Sequence, residues 1–451
     1  MLDIVDVTSD GVGVGRFSNG MAVFVPLTAV GDRISCHIVK VNKSYAYGII
    51  REILVPSGDR IASDCPAFSK CGGCSFRHIS YEAELKLKSK FVTDAFSRGK
   101  VFEAAKFEKI CGSADICRYR NKAQFPISKS GDQIIYGFYG KRSHRVIPIK
   151  DCLLEPEIFS GIMAICVSFM EDNNISVYDE TAKKGILRHI YIRRGHNSGE
   201  IMVCFVALNQ TVRDKLSCLA KKLKSQFADI KSVILNINPD NTNVILGKKN
   251  ITLLGGDQIS DTICGLKIRL SPMSFYQVNT DMAGRLYEYA KSCVGDMQGS
   301  EHGLIIDLYC GAGAIGLFFA DRAEEVIGCD ITREAIENAK ENARINGIEN
   351  AEFIAGDAGE IAADLAKSGK NPDIIIIDPP RKGCDKLTLD SIIKMQPKKI
   401  IMISCHPATA ARDAAYIENF SYQLKTVKPF DLFPRTTHVE CVALFEQIGS
   451  L

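Results

Sequence analysis

The residues of this chain whose types could do chemistry together are a thiol and a carboxylate near its end. Cys405 closes the apolar run Ile400–Ile403 in "IIMISCHPATAARD", and Pro407 prevents that run from continuing as a strand. On its own, a cysteine at a strand end reads as a small buried residue, a metal ligand or a nucleophile. Glu440 and His438 follow in "FDLFPRTTHVE" (430–440). Upstream, Gly311-Ala312-Gly313-Ala314-Ile315-Gly316 lies between an apolar strand and a helical pattern. Asp330 ends the next strand, nineteen residues beyond Gly311. Glycines that permit close backbone approach, with an acid for ribose hydroxyls, suit a dinucleotide or S-adenosylmethionine equally.

Three further acids favour S-adenosylmethionine. Asp307, four residues before the glycines, is expected to meet the ligand's ammonium end, where a pyrophosphate would be repelled. Asp357, in "AGDA", is placed to accept from an adenine amino group. Asp378 ends a fourth strand in "IIIIDPPRKG", and methyltransferases that act on nucleobases use such a D-P-P loop at the reacting centre. Its bland alternative is a strand end with a tight turn.

A thiol, a carboxylate and a methyl donor in one crevice suit carbon 5 of uracil, a poor nucleophile by itself. Addition of a thiolate at carbon 6 makes an enolate that can take the methyl group. A general base must then remove the carbon-5 proton so that the thiol leaves. Cys405 is the expected nucleophile and Glu440 the expected base, whereas His406 reads as a loop residue beside a proline.

Seventeen cysteines are many for a reducing compartment, where disulfides are rarely kept. Cys65-x5-Cys71-x2-Cys74, with Cys152 in "IKDCLLEP" as a candidate fourth ligand, suits zinc or an iron–sulfur cluster. No histidine follows at zinc-finger spacing, and the radical-enzyme spacing C-x3-C-x2-C is absent. The net charge of +3 does not by itself imply a polyanionic partner, but its distribution is uneven. Between Arg118 and Lys150 stand eight basic residues against the single acid Asp132, interleaved with Tyr119, Phe125, Tyr136, Phe138 and Tyr139. Such a strip fits single-stranded nucleic acid, or equally a solvated strand pair with a half-buried aromatic face.

The elements that must position these groups fall into three segments. Residues 1–55 carry short β-type runs separated by glycine turns, as in a small antiparallel barrel. Residues 56–270 hold the cysteines, an amphipathic helix at 81–97, and then a strand-rich stretch in which "GHNSG" joins two strands as a hairpin. In residues 271–451 apolar strands alternate with amphipathic helices from about 300 onward, the signature of a parallel α/β sheet. Ligands of such sheets sit outside the carboxyl ends of the strands, where Cys405, Asp378 and the glycines all fall. No apolar run approaches the roughly 20 residues of a membrane span. The acidic start "MLDIVDVTSDG" does not read as a signal peptide, so the expected location is cytoplasmic.

Taken together, these motifs resemble the RNA 5-methyluridine methyltransferases, especially the bacterial 23S ribosomal RNA branch. Residues 1–55 are similar to that family's TRAM domain, an OB-like RNA-binding barrel, and "YRNKAQFPI" (119–127) and "GILRHIYIRRG" (185–195) to its central signatures. The resemblance implies a Rossmann-like methyltransferase domain and a 4Fe-4S cluster on Cys65, Cys71, Cys74 and Cys152, structural because the chemistry above transfers no electron. It implies S-adenosylmethionine contacts from Gln277 in "SFYQVN", Tyr309 in "DLYCGAGAIGL", Asp330 and Asp378. It gives "SCHPATAARD" as the nucleophile motif and "FPRTTHVE" as the base motif. The departures are His406, where Asn or another small polar residue is expected, and Arg435-Thr436-Thr437 in place of a histidine-rich run. The implied enzyme is a monomer acting on 23S ribosomal RNA in preference to transfer RNA. Two other classes compete: an RNA-binding assembly factor with an inactive methyltransferase fold, and an NAD-dependent oxidoreductase resting on the glycine loop alone.

Overall fold

The computed structural model describes residues 1–99, 105–240, 242–295 and 303–448. Strands Leu2–Val7, Val12–Arg16, Ala22–Pro26, Arg33–Val41 and Tyr45–Val55 close into a five-stranded barrel. Period-two alternation turns Leu2, Ile4, Val23, Val25, Ile34 and Ala46 inward to fill it.

The middle of the chain forms a seven-stranded sheet. Its order is Lys249–Gly255, Ile230–Ile237, Ile201–Ala207, Leu187–Arg194, Lys122–Ser130, Gln133–Tyr139 and Val146–Pro148. The expected hairpin joins two of these strands, with Arg194 opposite Ile201. Two helices that the strand-rich reading passed over, Glu157–Asp172 and Arg213–Gln226, cover one face of the sheet. Their apolar residues recur at helical spacing (Phe159, Ile162, Met163, Cys166 and Met170), a signal present in the sequence.

The last sheet has eight strands among the described residues. Its order is Ala351–Ala355, Glu325–Asp330, Leu304–Leu308, Ile374–Ile377, Lys399–Ser404, Glu440–Gln447, Tyr422–Phe430 and Lys106–Phe107. The first five run parallel, and Glu440–Gln447 is antiparallel to both neighbours. Strand order reverses between Leu304–Leu308 and Ile374–Ile377, so the glycine loop and the D-P-P loop open onto the switch point where such sheets bind ligands. Apolar clusters cover both faces, as a parallel sheet requires. Helix Tyr81–Arg98 serves both neighbours. Val92, Ala95 and Phe96 enter the core of this sheet, while Ala83, Leu87 and Phe91 pack beneath the barrel. No helix among the described residues is long and apolar enough to cross a membrane.

Candidate active site

Strand register brings the thiol and the carboxylate together. Lys399–Ser404 pairs antiparallel with Glu440–Gln447, and Ser404 faces Cys441. Cys405 directly follows the last residue of the first strand and Glu440 begins the second, so the two stand at the same end of this strand pair. Both residues line a cavity of about 690 Å³. Gln277, Tyr309, Asp330, Asp357 and Asp378 line the same cavity, so every cofactor candidate except Asp307 meets the reactive pair there.

The glycine loop is built by a few specific contacts. Asp330 accepts from the Gly311 N–H at 3.1 Å and the Thr332 N–H at 2.7 Å, which fixes its carboxylate at the cavity wall. Gly313 has φ +80°, and a Cβ there would lie 2.9 Å from Phe353. A Cβ on Gly311 would instead meet nothing within 4 Å, leaving open space for a ligand. Tyr309 also holds a left-handed φ of +67°, a strain of about 1–3 kcal/mol, and its hydroxyl lies 3.3 Å from that of Thr388. Asp357 doubles as the N-cap of helix Ala358–Lys367, accepting from Gly359 N–H at 2.9 Å.

Asp307 departs from expectation. It is fully buried and accepts from the Gly316 N–H at 2.8 Å, behind the glycine loop rather than on the cavity wall. Burial pushes its carboxyl up to about 8, so it braces the loop and does not meet a ligand's ammonium end. The case against a pyrophosphate drawn from its charge therefore falls away.

The electrostatics of the cavity are set by burial. Burial and the neighbouring Asp378 push Glu440 up to about 8, and burial alone raises Asp378 to about 7. Burial, Glu440 and Asp378 raise the Cys405 thiol to about 11. Arg381, which directly follows the two prolines, opposes the shifts of both Glu440 and Cys405. The sequence reading passed over it, although its place in the D-P-P loop marked it. Burial and Arg381 hold His438 down to about 4, and Arg381 Nη2 lies 3.2 Å from Nε2 of this neutral ring. His406 turns out to be the N-cap of helix Pro407–Glu418: its Nδ1 accepts from Thr409 N–H at 3.3 Å. That is the task an Asn performs at such a position, which accounts for the departure noted above.

The segment leading to Glu440 is anchored from below. Lys88, wholly buried, donates to Glu84 and Asp431 at 2.7 Å each and to the Phe433 carbonyl at 3.0 Å. The Arg435 N–H donates to Glu84 at 2.7 Å, and Ser75 and Phe76 donate their N–H groups to the Arg435 carbonyl. The Arg435-Thr436-Thr437 departure is thus accommodated by contacts of Arg435 with the helix and the cysteine segment.

The strip 118–150 divides. Tyr119 and Phe125 are buried, Tyr136 and Phe138 pack on Phe125, and Tyr139 tilts against His144, which makes a half-buried aromatic face. Arg118 pairs with Asp151, and Arg120 and Lys122 line the catalytic cavity. Lys129, Lys141, Arg142, Arg145 and Lys150 stay exposed. Asn121 and Arg193, unremarked within their motifs, hold the segment carrying Gln277. Asn121 Nδ2 donates to the Gln277 carbonyl at 2.8 Å, and Arg193 donates to the carbonyls of Ser271 and Ser274.

Cys65, Cys71, Cys74 and Cys152 are free thiols in one neighbourhood, each within electrostatic reach of another. The Gly73 N–H donates to Cys71 Sγ at 3.3 Å, and Arg77, Arg120 and Lys141 supply positive charge around the group. Burial outweighs those charges and raises the thiols of Cys71, Cys74 and Cys152. A single zinc ion, with Zn–S near 2.3 Å, would draw its ligands into a tight tetrahedron. No group of three or more His, Cys, Asp or Glu among the described residues is placed to hold a metal ion.

A family model described as tRNA (uracil-5-)-methyltransferase matches residues 80–448, and one for the TRAM domain matches residues 2–50. An uncharacterized RNA methyltransferase of Halalkalibacterium halodurans is 40% identical over 443 residues, covering 98% of this chain and 96% of that protein. One from Clostridium tetani is 39% identical over 448 residues, covering 99% and 96%. Among solved structures, the tRNA (uracil-54, C5)-methyltransferase of Pyrococcus abyssi, in complex with S-adenosyl-L-homocysteine, matches with a TM-score of 0.78. It is 25% identical, and the match covers 99% of this chain and 100% of that one.

Proposed function

We propose a substrate and a course of reaction for a chain that belongs to the tRNA (uracil-5-)-methyltransferase family and is an S-adenosylmethionine-dependent RNA uracil-5-methyltransferase with a TRAM domain. S-adenosylmethionine supplies an electrophilic methyl group. Gln277, Tyr309, Asp330, Asp357 and Asp378 bind it beside the target uracil. Cys405 gives up its proton to solvent and adds as a thiolate to carbon 6; the electron pair displaced from the ring double bond makes carbon 5 the nucleophile that takes the methyl group, and S-adenosylhomocysteine leaves. Glu440 then removes the carbon-5 proton, the double bond re-forms, and the thiolate leaves. Arg381 favours the thiolate throughout.

The observation that carries this reading is that Cys405 and Glu440, at the same end of one strand pair, line the cavity that Asp330 and Asp378 also line. Cys405→Ala is expected to abolish both methyl transfer and the covalent adduct with 5-fluorouridine RNA; retained methylation would overturn the assignment.

The substrate we infer is 23S ribosomal RNA, supported by the sequence likeness to that branch. The target base must leave its stack at a cost of a few kcal/mol, offset by RNA contacts from the barrel (1–55) and the exposed basic residues of the central segment (56–270). The catalytic segment is 271–451. The likeness to an archaeal enzyme named for tRNA uracil-54 favours transfer RNA as the second reading. Mass-spectrometric mapping of 5-methyluridine in a strain lacking the gene decides between them. Cys65, Cys71, Cys74 and Cys152 hold a 4Fe-4S cluster with a structural role, supported by the sequence likeness and by the shared neighbourhood of the four thiols; an anaerobic preparation without iron or visible absorbance would refute this. The enzyme acts as a cytoplasmic monomer, which light scattering of the purified chain tests for the oligomeric state.

A further inference from the structure

A second cavity, of about 430 Å³, opens on the central sheet and shares no lining residue with the catalytic one. It is lined by Arg188 and His189, by Tyr178 and Tyr139, and by Lys129 and Arg145 from the basic strip. Adjacent residues of a strand normally face opposite ways, yet both Arg188 and His189 line this space. The cause is a β-bulge. Leu187 pairs with Ala207 and His189 with Val206, leaving Arg188 as the extra residue. Leu187 and Ile190 both face the helix-covered core, so the two residues between them turn away from it.

Arg188 and His189 are only 6% and 5% exposed, and each keeps an unpartnered polar atom, Arg188 Nε and His189 Nδ1. Arg188 is held in place from the other side: its Nη1 donates to the carbonyls of Asn238 and Asp240, and the Tyr178 ring lies 5.2 Å from its Cζ. Burial and the Arg188 charge hold His189 down to about 4, so it is a neutral ring with one donor and one acceptor. Arg188 Nε and His189 Nδ1 are shielded from solvent, so other atoms of the two side chains meet the cavity; a bulge that turns both residues toward one opening is the arrangement of a binding site.

We propose that this cavity receives an unpaired guanine of the RNA substrate, read at its edge by Arg188 and His189, while Lys129 and Arg145 at the mouth neutralise flanking phosphates. The proposal rests on the reading of the chain as an enzyme acting on RNA. Sequence-specific RNA recognition uses splayed-out bases held in such pockets. Guanine presents adjacent N7 and O6 acceptors, the edge a guanidinium matches. Asp179 and Glu180 also line the cavity. Asp179 accepts from the N–H groups of Thr181 and Ala182, and Glu180 lies 3.1 Å from His144, so each carboxylate has a partner of its own within the protein. His189 lies four residues along its strand from Arg193, whose cross-strand partner is Lys122 on the catalytic cavity wall. That is about 13 Å, roughly the rise of four stacked nucleotides.

The test uses the full chain and two 12-nucleotide RNAs that contain no uracil: all cytidine, and cytidine with one central guanosine. Filter binding is expected to show the guanosine-containing RNA bound about tenfold more tightly, and His189→Phe, which fills the cavity, to abolish that preference. Tyr178→Leu, which removes the wall beside Arg188, should reduce it. Binding of S-adenosylhomocysteine by both variants verifies that they are folded. Equal binding of the two RNAs by the wild-type chain, or a preference undiminished in folded His189→Phe, overturns the proposal. Because neither probe can be methylated at uracil, failure of the methyltransferase reading would appear separately, as absence of methyl transfer to any RNA.

Discussion

In the proposed reaction the ionisation of Glu440 governs the release of product, and this can be measured directly. Burial and Asp378 raise its carboxyl to about 8, while the base that removes the carbon-5 proton must be ionised. With that value about one-tenth of the sites are ionised at pH 7 and about nine-tenths at pH 9, so decay of the methylated covalent adduct should accelerate about tenfold over that interval. Asp378→Asn removes the like charge behind part of the shift and should move the rise to lower pH. Because the two carboxyls share one cavity, the observed midpoint belongs to the pair. The assay is single-turnover quenching of the enzyme–RNA adduct on denaturing gels between pH 6 and 9. Glu440→Gln should form the adduct and hold it across the whole range. A flat profile in the wild type, or release from Glu440→Gln at the wild-type rate, would show that another group takes the proton.

Stability without ligand should fall as pH rises. Glu440, Asp307 and Asp378 have folded-state values raised above their unfolded ones, so their contribution is complete below about pH 4 and is lost as pH climbs through about 7 to 8; urea midpoints at pH 5 and pH 8 measure the difference. Lys88→Met leaves Glu84 and Asp431 buried without their cation and should cost about 3–5 kcal/mol in urea unfolding, most of it recovered when Glu84→Gln and Asp431→Asn are added. His406→Ala should cost about 1 kcal/mol through loss of the helix cap, and His406→Asn close to nothing, with methylation retained in both. Gly313→Ala places a methyl group 2.9 Å from Phe353 at φ +80°, and calorimetry should find S-adenosylhomocysteine binding weakened at least tenfold.

Much of the catalytic sheet is legible because its strands are buried on both faces and read as apolar runs that end in turn residues, as at "IIIIDPPRKG" and "IIMISCHP". The five barrel strands are legible for the complementary reason, alternation between short glycine turns. The two helices of the central sheet were passed over because attention to β-branched runs masked a helical period that was present. The aromatics of the strip 118–150 leave two readings open in the sequence, because alternation marks a buried face as readily as a stacking surface and composition does not say which face is covered.

The sequence by itself determined which residue types stand at the ends of which strands: Cys405, Asp378, Asp330 and the glycines are placed by local pattern, since a strand and the turn after it are made by neighbours in the chain. Only the tertiary structure decided what each meets. That Glu440 and Cys405 stand at the same end of one strand pair follows from the pairing of two strands separated by more than thirty residues. That Asp307 braces a loop, that His406 caps a helix and that Asn121 and Arg193 hold the Gln277 segment are likewise matters of long-range packing. Burial, which raises Glu440 and Cys405, is contributed by the whole fold around them and has no signature in either residue's own neighbours along the chain.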